Sequence, residues 1–272
     1  MAARSVWTLV LVAAMTAATL AREQAVQGVD TRARTALDEM RAAYAALAAL
    51  HVKIKWTARY SGDMSADDFP LPGPDELELR MQRPNKLFLS ALAVRDGKSL
   101  RYQIVSDGTT VSYWQSAPNT YTQRPAPPTL AELPRALPDT AIGTFDGSTW
   151  ESDSILEWDL LTGVGGQLGD PGISDLIVTL GPRERLRGTD VDVVRLTYPD
   201  GAPVAMEVSV LLSTTNRLVR GYRLTGRGPH PDTGRPFTVA MQSDYEICDA
   251  QPKFGSADFV FTPPPGAKKK TP

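Results

Sequence analysis

One feature constrains this chain more than any other: a hydrophobic period of two that keeps returning. In LELRMQRPNKLFLSAL, from Leu77 to Leu92, the residues Leu77, Leu79 and Met81 alternate with Glu78, Arg80 and Gln82. Such alternation marks a strand with one dry face and one wet face. It recurs at Val52, Ile54, Trp56, Ala58 and Tyr60, set against Lys53, Lys55, Thr57 and Arg59. LRYQIVSDGTTVSYW reads as two strands joined at Asp107-Gly108, a hairpin-turn pair. Further strands are expected near 176–180, 183–187, 191–198, 204–212, 217–226, 236–246 and 258–262. No strand–helix–strand rhythm separates them, so the sheet should be antiparallel.

Helices are few. From Asp30 to Leu50, Leu37, Met40, Tyr44, Leu47 and Leu50 recur at spacings of three and four, and the period switches to two at His51. His51 should close that helix, where a cation suits the helix dipole. In the proline-rich stretch 118–138, Thr129 to Glu132 reads as a capping box opening a short helix that Pro134 limits. A second short helix is expected at Ser154–Leu161. The fold class is therefore mainly β, with about eleven strands. That many twisted strands curl toward a barrel, and above about eight strands a barrel tends to leave a cavity. The amphipathic helices would plug its open hollow.

Composition adds an address and some exclusions. Arg4 precedes an uncharged run, VWTLVLVAAMTAATLA, which is shorter than a membrane span. This reads as a signal peptide over residues 1–21, with a second candidate cleavage site at Ala25; an uncleaved anchor is the rival. Export to the periplasm follows. The single cysteine, Cys248, lies far from the N-terminus, so the chain should not itself be lipidated and must rely on its core rather than on disulfides. A net charge of −2 gives no reason to expect nucleic acid.

Three stretches carry a resemblance. LRMQRPNKL followed by IVSDGTTVSYW, the closing ADFVFTPPPGAK, and the entry ALDEMRAAYAALAALHVKIKW together resemble the LolA-like superfamily: periplasmic lipoprotein-localisation carriers, envelope-stress regulators and uncharacterised predicted periplasmic proteins. The resemblance spans a single domain over 29–265, leaving 266–272 as a basic tail, and departs from the carriers in the loop 61–74 and the middle segment 118–172. It implies a strongly curved, incompletely closed antiparallel sheet with helices plugging its hollow. It implies non-enzymatic binding of acyl chains of lipoprotein or lipid, without a cofactor. It also implies the alternative of an envelope regulator that binds an inner-membrane protein. In the carriers the arginine before the proline holds the lid helix shut; the matching residue here is Arg83.

Read from the residues alone, Arg83 shares parity with Leu79 and Met81 and would need buried acceptors. Alternatively, Pro84 re-aims the strand end and Arg83 is a solvated turn residue. The candidate lining of the hollow is Trp56, Tyr60, Leu79, Met81, Phe88, Ile104, Val111, Tyr113, Trp158, Leu161, Phe237, Val239, Met241 and Tyr245, with Phe259 on an apolar parity of its own. These residues either line a cavity or fill a closed core. Catalytic signals are weak. Asp232-Thr233-Gly234 lacks the apolar strand that leads into a protease triplet and reads as a turn. The histidines, His51 and His230, lack neighbours at metal-ligand spacing.

Overall fold

A computed structural model describes residues 30–62, 74–95, 97–137, 177–197, 205–230 and 233–270. The first described element is helix α1 (Thr31–Ala46). Asp30 starts it: its backbone is extended, and its Oδ1 accepts from Arg32 N at 2.8 Å, satisfying one of the orphan amides of the first turn. Ala33, Ala36, Leu37, Met40 and Tyr44 form the buried stripe. The helix stops four residues short of the expected Leu50. Leu50 satisfies both periods, and pairing with Met81 claims it for the sheet. His51 is accordingly a strand residue, with Nε2 3.0 Å from Glu78 Oε1, and closes no helix.

The strands are β1 (Ala49–Gly62), β2 (Glu76–Gln82), β3 (Lys86–Arg95), β4 (Lys98–Asp107), β5 (Thr110–Gln115), β6 (Thr120–Pro125), β7 (Ile177–Leu180), β8 (Glu184–Leu186), β9 (Thr189–Thr197), β10 (Ala205–Ser213), β11 (Val219–Pro229), β12 (Pro236–Asp249) and β13 (Lys268–Lys269). They form one sheet in the order β13-β6-β5-β4-β3-β2-β1-β12-β11-β10-β9-β7, with β8 also on β9. Every pairing is antiparallel except β13 on β6. Among the described residues the two ends, β13 and β7, do not meet, and the curved sheet is open. The N-terminal and C-terminal halves join at β1–β12, the longest pairing.

Three expectations are corrected. β6 lies inside the proline-rich stretch; its Thr-Tyr-Thr run pairs with β5. Residues 258–262 form no strand: Asp258 Oδ2 accepts from Gly255 N at 2.7 Å and winds Ser256–Phe259 into a 3-10 turn. In the basic tail, Lys268 and Lys269 add an unexpected short strand, pairing through their backbone with Thr120 and Tyr121 while their side chains stay exposed.

The inner face of the sheet carries the core. There α1 packs with Leu50, Val52, Leu79, Met81 and their neighbours into one apolar cluster. After β6 a 3-10 turn (Leu130–Glu132) and helix α2 (Leu133–Ala136) add Leu130, Leu133 and Leu137 to the same cluster. Thr129 and Glu132 meet side chain to side chain at 3.0 Å rather than capping the backbone, and Pro134 sits in the first turn of α2. Each fully buried side chain of this size stabilises the fold by about 2 kcal/mol. The outer face of β2–β6 is covered by the C-terminal segment, where Phe259 is buried and meets Phe254 edge to face at 5.1 Å.

Candidate ligand-binding hollow

Register decides which side chains share the inner face. Ile54, Val52 and Leu50 on β1 oppose Leu77, Leu79 and Met81 on β2. Leu79 leads on to Leu89, Ile104 and Tyr113 across β3, β4 and β5. On the other side of β1, Ala58 opposes Met241, Tyr60 opposes Val239, and Gly62 opposes Phe237. Thus Leu79, Met81, Ile104, Val111, Tyr113, Phe237, Val239, Met241 and Tyr245 gather in one buried cluster, with Trp56 and Tyr60 packed against it.

Phe88 does not join them. It opposes Arg80 and Val105 on the outer face, where the Arg80 guanidinium lies 4.7 Å from its ring centroid. Parity runs unbroken through the turn after β2: Leu87, Leu89 and Ala91, odd-numbered like Leu79 and Met81, face inward, and Phe88 falls on the other side. Phe259 is also an outer-face residue; Lys86 Nζ lies 5.9 Å from its ring. Trp158 and Leu161, with the helix expected around them, lie outside the described residues.

Sequence reading missed Tyr222. Its ring stacks on Trp56 at 5.8 Å, nearly parallel, and meets Tyr245 at 6.1 Å. A bulge hides it: β11 spends an extra residue, Arg220, between the partners of Leu212 and Leu211. Val219 and Tyr222 therefore both face inward although their parities differ. A second bulge at Lys53/Ile54 does the same for Tyr245 and Cys248.

Coverage of the inner face is uneven. Along β1, Leu50 and Val52 are 0% exposed and Ile54 2%. Trp56, Ala58 and Tyr60, on the same face, are only half-buried. The change coincides with the end of β2, which pairs with β1 only as far as Lys55. Along β1, among the described residues, this is where burial of the inner face falls off.

Two hydroxyl groups on this face are occupied. Ser106 Oγ donates to Asn85 O at 2.7 Å, and Ser243 Oγ accepts from Tyr222 N at 2.7 Å. Burial pushes the Tyr113 phenol up to about 12, and that of Tyr102 higher still, so both are neutral donors at neutral pH. No cluster of three or more potential metal ligands occurs among the described residues. Such a surface can exclude water from an apolar ligand.

Arg83 sits in the turn after β2, exposed rather than on the inner face. Its Nε donates to Leu47 O at 2.8 Å and its Nη2 to Tyr44 O at 3.4 Å, while its backbone N–H donates to Ala48 O at 2.9 Å. The guanidinium thus meets carbonyls at the negative end of α1, where Tyr44 O also accepts from Leu47 N at 3.3 Å. Arg217 holds the middle of the same helix: Nε lies 2.7 Å from Glu39 Oε2, and Nη1 2.5 Å from Asp192 Oδ2. Burial pushes Asp192 up, but hydrogen bonds from Arg217 and Arg183 outweigh it and hold the carboxyl below its ordinary value.

The open, curved antiparallel sheet with α1 across its inner face is the architecture the resemblance implies. Residues 33–145 match the family described as "Predicted periplasmic protein (DUF2092)", in keeping with the periplasmic location expected from the N-terminus. No curated protein matches. Among solved structures, the chain is similar to the Mycobacterium tuberculosis lipoprotein LppX, at 13% identity, covering 82% of this chain and 98% of that one with a TM-score of 0.39. It is similar to a chain of the Pseudomonas aeruginosa MucA/MucB complex, at 13% identity, 85% and 62% coverage and a TM-score of 0.39. It is also similar to a LolA superfamily protein from Nitrosomonas europaea, at 10% identity, 84% and 97% coverage and a TM-score of 0.23.

Proposed function

We propose that this protein is a non-enzymatic periplasmic binder of acyl chains, a carrier or sensor of lipid or lipoprotein, that takes its ligand into the hollow beneath α1. The observation that carries the reading is the half-buried Trp56–Tyr60 stretch of β1, an aromatic mouth continuous with a sealed apolar interior. A chain threaded there gains about 0.8 kcal/mol for each CH₂ buried, before ordering costs. Arg83 would hold the C-terminal end of α1 in place while the ligand is bound. Native mass spectrometry of detergent-free protein, followed by lipid extraction, tests the reading. A stoichiometric adduct that extracts as lipid is expected. A bare mass unchanged by added fatty acid or phospholipid would defeat it. Capture of one inner-membrane protein without lipid would favour a partner-binding regulator instead.

A further inference from the structure

We infer that Arg217, and not Arg83, is the latch that decides whether α1 swings off the hollow; the purpose of that motion rests on the acyl-binding reading. The argument is one of leverage. Two residues, Leu47 and Ala48, join α1 directly to β1, so the C-terminal end of the helix is tethered by the chain itself. Arg83 binds carbonyls at that same end. It sits at the hinge, where a bond resists fraying but has little leverage against rotation.

Glu39 lies about 12 Å farther up the helix. There Arg217 bridges it to Asp192 on β9, and Arg183 Nε steadies Asp192 from the other side at 3.1 Å. Arg217 is itself preset. It has φ +59 in the turn between β10 and β11, and its N–H donates to Ser213 O at 3.0 Å. A guanidinium can hold two carboxylates at once in a fixed fork, which a lysine cannot. Toward the N-terminal end of the helix, among the described residues, Asp30 N donates to Val178 O at 2.9 Å and the Asp30 carboxylate accepts from the Leu180 backbone N–H, both on the edge strand β7.

Hydrogen exchange of the ligand-free full chain separates the two arginines. Glu39→Gln, a change at a half-exposed side chain, should speed exchange of the α1 amides roughly tenfold, as loss of a partly buried ion pair does. Arg217→Gln should do the same, and the double variant should add little. Arg217→Lys should recover only part of the protection. Arg83→Leu should speed exchange only in the last turn of α1. Unchanged α1 protection in Glu39→Gln, or an Arg83→Leu effect that spreads over the whole helix, would overturn the latch. Uptake of a fluorescent fatty acid is read in parallel. If α1 loosens and the protein takes up no fatty acid, the latch stands and the acyl-binding reading falls.

Discussion

The two halves of β1 are built from the same alternation and end in opposite circumstances. From Leu50 to Ile54 the inner residues lie sealed beneath α1, with β2 on one side and β12 on the other. From Trp56 to Tyr60 the strand keeps β12 and loses β2, and its inner residues are half-buried. The difference lies in the neighbours, not in the strand. The first half buries its apolar surface in the core; the second, in the proposed reading, offers it to a ligand.

Mutations can break or sharpen that contrast. Leu79→Ala, opposite Val52 in the sealed half, should cost about 3 kcal/mol in urea unfolding, since the cavity cannot collapse. Arg83→Leu removes the side-chain donor of Leu47 O, while Tyr44 O keeps the Leu47 N–H, and should cost about 1 kcal/mol. Trp56→Ala, in the open half, should cost about 1 kcal/mol through its lost stacking on Tyr222. Fatty-acid affinity should nevertheless fall roughly tenfold, the equivalent of two buried CH₂ groups. A Trp56 variant as unstable as the Leu79 variant would erase the distinction between the halves. Ala58→Trp should change stability by less than about 0.5 kcal/mol, because the site is half-open, yet obstruct uptake.

The smallest effect is one of pH. Asp192 is held below its ordinary value of 3.8, so its contribution is fully present above that pH and is lost as pH falls further. Stability followed by denaturant midpoint should therefore decline below about pH 4 less steeply in Asp192→Asn than in the parent.

Much of this was legible in the sequence, and the failures are informative. Period-two alternation placed Leu79, Ile104, Val239 and Met241 on one face because straight strands conserve parity. Parity failed at bulges. Tyr222 went unnoticed because Arg220 is an extra residue in the register; Phe88 was misplaced although parity, unbroken from Met81 to Leu87 and Leu89, already puts it on the outer face. Phe88 and Phe259 look like core residues, but both lie on the outer face, Phe88 half-buried under the Arg80 guanidinium and Phe259 buried in the C-terminal segment. A hydrophobic pattern reports that a face is dry, and does not say what dries it.

The amino-acid sequence by itself determined the mainly β class, the leading helix and the apolar identity of the inner face, because propensity and periodicity are local properties. Only the tertiary structure decided where that face opens, which carbonyls Arg83 meets, and that Arg217 joins Glu39 to Asp192. Those facts depend on groups distant in the chain, brought together by strand order and register, and no local pattern encodes such a distance.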